Sequence, residues 1–118
     1  MTRRDLQGVC KKMGRPWEIG KAFERSAPMG KLTPMSEVGN MEKGNINLTV
    51  NGEVRQNGDL DMMIWKIPEQ IAHLSKFYDI SAGDLIMTGT PAGVGPIVKG
   101  DKLIGKIDHL ETIEIIVV

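Results

Sequence analysis

The sequence has one cysteine, Cys10, so it can form no internal disulfide, and a disulfide-stapled secreted scaffold is excluded. Aromatic residues are only 4% of the chain, leaving few large anchors for a core. The eight methionines are expected to carry part of that packing. Net charge is missing as well. The 15 basic and 15 acidic residues cancel, so no overall field draws the chain to nucleic acid or to an anionic membrane. No apolar run approaches the ~20 residues of a membrane-spanning helix. The opening Met1-Thr2-Arg3-Arg4-Asp5 is not followed by the apolar stretch of a signal peptide. A cytoplasmic setting is the expectation these absences leave.

What is abundant is turn chemistry. Fourteen glycines and six prolines in 118 residues favour short strands and shaped loops over a helical bundle. The length suits one domain, residues 1–118. Residues 2–13 read as a helix with Leu6, Val9, Cys10 and Met13 on one apolar stripe and Arg4, Gln7 and Lys11 on the other face. Thr2 is the expected N-cap, and Gly14 with Arg15-Pro16 ends the helix. From Trp17 to Gly44 no period is sustained, as in a long functional loop.

Ile46, Leu48 and Val50 alternate with polar residues, and Asn51-Gly52 then signals a type I′ hairpin into a strand from Val54. Asn57-Gly58-Asp59 is expected to turn the chain again. Pro68 opens a helix with Ile71, Leu74 and Tyr78 inward. Leu85-Ile86-Met87 reads as a buried strand, and two more strands follow near 102–107 and 112–118. The order predicts an α+β fold with a mostly antiparallel or mixed sheet.

Three places could carry chemistry. Thr88-Gly89-Thr90-Pro91 with Ala92-Gly93-Val94-Gly95 could turn hydroxyls and backbone N–H groups onto an anion; it also reads as a tight turn that needs glycine for backbone reasons alone. Lys21, beside Gly20 and near Trp17, could be partly desolvated and so stabilise a developing enolate; an ordinary solvated lysine is the plainer reading. Arg4 and Gln7, one helical turn apart, could grip a keto acid, or simply form a polar outer face. His73 and His109 have no partner at ligand spacing, and the aspartates form no metal pattern.

In order and at the expected spacing, these segments resemble the fumarylacetoacetate hydrolase superfamily. The resemblance rests on Thr2-Arg3-Arg4-Asp5-Leu6-Gln7, Gly14-Arg15-Pro16-Trp17, Gly20-Lys21-Ala22-Phe23, Ala27-Pro28-Met29-Gly30, Val50-Asn51-Gly52-Glu53-Val54-Arg55-Gln56 and the run from Gly83 to Gly95. It is strongest for the fumarylpyruvate and acylpyruvate hydrolase branch.

The resemblance implies a mixed β-sandwich/roll core and an Mg²⁺- or Mn²⁺-dependent enzyme. Such an enzyme splits a carbon–carbon bond in a 2,4-diketo acid, giving pyruvate and a carboxylic acid. It assigns Lys21 to catalysis and Arg4, Gln7 and Thr90 to substrate binding. It also implies metal ligands, a Glu-x-Glu pair and an Asp, upstream of Met1, so that the core is N-terminally incomplete and the chain alone holds no metal ion. A homodimer, or pairing with the upstream portion, is the implied assembly. Two other outcomes are open: a decarboxylase or isomerase on the same scaffold, and a truncated, non-catalytic product that only associates.

Overall fold

The computed structural model describes every residue from Met1 to Val118. Its elements run α1 (Arg4–Lys12), α2 (Glu18–Lys21), α3 (Met35–Val38), β1 (Asn45–Val50), β2 (Glu53–Asp59), a 3₁₀ turn (Leu60–Met62), α4 (Ile67–Leu74), β3 (Lys102–Ile107) and β4 (Ile113–Ile116). The α+β reading holds. The strands form one open four-stranded sheet in the order β2-β1-β3-β4, with every neighbouring pair antiparallel.

The hairpin stands where Asn51-Gly52 puts it. These residues have φ of 52° and 85°, the two positive values that a type I′ turn needs. The chain does not turn at Asn57-Gly58-Asp59; β2 continues to Asp59, which pairs with Asn45. The Asn45 side chain extends the ladder by donating to Asn57 Oδ1 at 2.9 Å and to the Gly58 carbonyl at 3.1 Å. Between Leu48 and Thr49 the register slips. Leu48 faces Gln56 and Thr49 faces Val54, so Arg55 is an extra residue bulged out of β2.

Other expectations need correction. Leu85-Ile86-Met87 is not a strand: it pairs with neither sheet edge, and Leu85 and Met87 are exposed. Helix α1 has Arg3, not Thr2, as its N-cap with no side-chain cap, and the Thr2 hydroxyl accepts a hydrogen bond from Lys21. Its other end behaves as read. Gly14 has φ 62°, and Arg15 and Gly14 donate to the carbonyls of Cys10 and Lys11 at 2.9 and 3.3 Å, a Schellman closure. On α4 the expected stripe is not buried, since Ile71 and Tyr78 are exposed. His73 rests between Trp65 and Phe77, with ring centroids 5.1 and 5.4 Å away.

The core is small: Cys10, Val50 and Leu103. Cys10 packs as expected, but the methionines do not, and Met35, Met62 and Met87 are 70%, 72% and 68% exposed. The accessible surface is 9196 Å², against about 6,300 Å² for a compact monomer of this size. The radius of gyration, 15.7 Å, likewise exceeds the ~13.5 Å of a compact chain this long. One open sheet with short helices covers little of its own apolar surface, which is why six of the eight methionines stay outside while Met41 and Met63 are half-buried. No helix is long and apolar enough to cross a membrane.

Candidate functional site

The first cluster is built by α1 and α2. Arg3 N–H donates to the Gly20 carbonyl at 2.9 Å and ties the start of one helix to the other. The approach is close enough that a β-carbon on Gly20 would lie 3.2 Å from both Cβ and N of Gln7. That contact overturns the expected polar outer face, because it leaves Gln7 only 5% exposed, while Val9 and Met13 of the expected apolar stripe are exposed. Arg4 Nη1 donates to Gln7 Oε1 at 3.0 Å. The Gln7 amide nitrogen has no protein acceptor, and since no fully buried side-chain N or O lacks a partner, that nitrogen is reachable from outside. Arg4 and Gln7 thus present N–H donors side by side, the arrangement that suits a carboxylate or keto oxygen.

Lys21 closes this cluster by donating to Thr2 Oγ1 at 2.8 Å. It is exposed, not desolvated. The Trp17 ring is covered by Lys11, whose ammonium lies 4.7 Å from its centroid. The Arg3 guanidinium sits 4.5 Å over Phe23 in the same way.

The second cluster lies where the loop 88–95 crosses β2. Gly93, at φ 99°, packs against the carbonyl of the bulged Arg55 so closely that a β-carbon would collide with its oxygen. Pro91 meets Gly58 in a similar way, at 3.2 Å from an added β-carbon. Gln56 pins the loop from below. Its Nε2 donates to Thr90 Oγ1 at 2.8 Å and to the Pro91 carbonyl at 2.7 Å. A cavity of about 340 Å³ opens beside this junction, floored by Ile46, Leu48, Ile107 and Ile113 and reaching Gln56 and Thr90. At its rim Lys31 donates to Glu111 at 2.9 Å, and that hydrogen bond, with the charge of Glu111, holds the exposed ammonium above its ordinary 10.5.

Arg4 is hydrogen-bonded to Gln7 and Lys21 to Thr2 at the junction of α1 and α2, and Thr90 is hydrogen-bonded to Gln56; no hydrogen bond or ion pair joins the two groups. Gln56 was not singled out from the sequence. Its burial, at 9% exposure, depends on the bulge. Val54 and Gln56 share a parity in the strand, yet Val54 is 63% exposed, because the extra residue between them reverses the alternation. No three His, Cys, Asp or Glu side chains converge to hold a metal ion.

Residues 1–117 match the family described as fumarylacetoacetate (FAA) hydrolase, C-terminal. A fumarylpyruvate hydrolase of a Ralstonia species is 46% identical over 117 residues, 99% of this chain and 60% of the relative. An oxaloacetate tautomerase of Escherichia coli is 48% identical over 104 residues, 87% of this chain and 48% of the relative. The crystal structure of fumarylpyruvate hydrolase from Pseudomonas aeruginosa in complex with Mn²⁺ and pyruvate superposes with a TM-score of 0.97 at 51% identity, over 100% of this chain and 51% of that one. The chain thus spans about half the length of the relatives it matches. By sequence match and by fold, it belongs to the fumarylacetoacetate hydrolase family, as a version of that family's C-terminal domain.

Proposed function

We propose that this chain supplies the keto-acid-binding face of a metal-dependent hydrolase that cleaves a carbon–carbon bond in 2,4-diketo acids of the fumarylpyruvate or acylpyruvate type. The observation that carries the reading is the superposition of this whole chain on about half of a fumarylpyruvate hydrolase crystallised with Mn²⁺ and pyruvate. Arg4 and Gln7 grip the keto-acid end with paired N–H donors, and Thr90 takes the carboxylate. In the reaction, water adds to the acyl carbonyl, and the carbon–carbon bond breaks with its electron pair passing to the pyruvate fragment as an enolate. A proton then restores the keto acid. The Lys21 ammonium stabilises the enolate oxygen or supplies that proton.

The residues of this chain do not fit the metal the family implies, since no three carboxylate, imidazole or thiolate groups converge. Completion of the site falls to a further portion of the family domain, and a homodimer, or pairing with that portion, is the assembly we expect. Cys10 is buried and unpaired, which goes with a reducing, cytoplasmic setting.

The second reading, a tautomerase of oxaloacetate, is favoured by the 48% identity to the Escherichia coli enzyme. One experiment separates the two: fuse the chain to the part of the Ralstonia protein that the match leaves uncovered, and assay with Mn²⁺. Metal-dependent loss of fumarylpyruvate supports the hydrolase. Turnover of oxaloacetate tautomers without fumarylpyruvate cleavage overturns it in favour of the tautomerase.

A further inference from the structure

We propose that Gln56 is a positioning residue that holds the Thr90 hydroxyl as a hydrogen-bond donor toward a ligand carboxylate. The inference rests on the reading above, that Thr90 meets the carboxylate of a keto acid.

Gln56 lies in the middle of β2 at 9% exposure, at a position where burying a long amide is costly unless it is fully bonded. Its Nε2 reaches two oxygens, Pro91 O at 2.7 Å and Thr90 Oγ1 at 2.8 Å. The orientation of the amide follows from chemistry. A backbone carbonyl only accepts, so the group facing Pro91 O has to be the NH₂, and the same NH₂ then faces Thr90. Both of its hydrogens are thereby used.

The consequence falls on Thr90. Its Oγ1 accepts from Gln56, and its own proton has no protein acceptor. The hydroxyl is left with one O–H to give, at the edge of the cavity that Gln56 and Thr90 share. A hydroxyl that instead gave its proton to the protein would turn lone pairs toward an anion and repel it. The following Pro91 adds a second constraint, since a residue before proline is confined to extended backbone. Backbone and side chain of Thr90 are both preset before any ligand arrives, which lowers the ordering cost of binding.

Gln56→Glu reverses the device with nearly the same shape. An ionised Glu only accepts, so it takes the Thr90 proton for itself and opposes Pro91 O. A protonated Glu carries one O–H, which can serve Thr90 Oγ1 or Pro91 O but not both, so it restores the donor only in part. The test titrates the ¹⁵N-labelled 118-residue chain with sodium pyruvate and follows the Thr90 amide by NMR. In the wild type, that resonance shifts saturably. In Gln56→Glu, the affinity is expected to fall about tenfold or more at neutral pH. It should recover in part as pH falls and the glutamate protonates, an event that burial against Pro91 O places above the free value of ~4.3, where pyruvate, a stronger acid, stays ionised. Gln56→Met keeps the length and carries the test at neutral pH even where Gln56→Glu does not fold; its loss should be independent of pH. Equal pyruvate affinity in the wild type and a folded variant overturns the role of Gln56 while leaving that of Thr90. No response at Thr90 in the wild type overturns the carboxylate reading of Thr90, and this proposal with it.

Discussion

Gly93 packs against the carbonyl of Arg55, the one residue bulged out of β2, and this contact seats the loop that carries Thr90. Two conditions meet at Gly93: a φ of 99°, which side chains rarely adopt, and a neighbouring oxygen that leaves no room for a methyl group. Gly93→Ala is therefore expected to lower stability by about 2 kcal/mol or more and to detach the loop from Gln56. Gly95 has open space around it and no positive φ, so Gly95→Ala should be nearly silent. Denaturant unfolding of the two variants side by side checks this, and equal losses would refute the contact.

The junction of the two N-terminal helices makes a parallel prediction. A β-carbon on Gly20 would lie 3.2 Å from Cβ and N of Gln7 and 3.3 Å from the Arg3 carbonyl oxygen, tighter than ordinary contact. Gly20→Ala should push α2 away from α1 at a cost of about 1–3 kcal/mol. It should also expose Gln7 and loosen its bond to Arg4. Faster hydrogen exchange at the Arg3 amide, which bonds the Gly20 carbonyl, is the direct readout.

Two carboxylates bonded to the backbone are expected to contribute to the acid sensitivity of the sheet. Asp101 accepts from the Val98 N–H and the Asn51 side chain, both at 2.8 Å, and these bonds hold its carboxyl below the ordinary 3.8. Asp59 is lowered in the same direction by backbone bonds from Asp61 and Gly44. A folded-state value below the unfolded one gives stability that is present above the unfolded value and is lost as pH falls through the folded one. Thermal midpoints should thus be flat near neutrality and drop below about pH 4. Asp101→Asn should show a shallower drop; an identical acid profile in that variant would remove Asp101 from the account.

Catalysis by the chain alone is a sharper case. With no three metal-ligating side chains in one place, it should not cleave fumarylpyruvate when Mg²⁺ or Mn²⁺ is added. Turnover above a metal-free control, followed by loss of the diketo acid's absorbance, would contradict the proposed division of the site.

The open sheet also predicts association. The surface of one chain exceeds that of a compact monomer by roughly 2,900 Å², well above the roughly 800 Å² per partner that a stable interface of standard size buries. Ile64, Leu32 and Met35 are 94%, 71% and 70% exposed. The chain should bind an apolar dye and elute as a species larger than a monomer, increasingly so at higher concentration. Monomeric elution at every concentration, without dye binding, would count against it.

The local elements were legible in the sequence because their causes are local. Asn51-Gly52 specifies the hairpin through backbone sterics, Gly14 ends α1, and the two short strands expected near 102–107 and 112–118 stand as β3 and β4. The ordered motifs around Arg4, Gln7, Lys21 and Thr90 also pointed to the family that residues 1–117 match. What only the tertiary structure decided depends on contacts between distant segments. Burial of Gln7 follows from the approach of Gly20. The exposure of Leu85 and Met87 follows from the lack of a strand partner. The placing of Gln56 under Thr90, 34 residues away, follows from a bulge that reverses the strand's alternation. No pattern of period two or 3.6 contains that reversal, because it arises where one strand is paired with another.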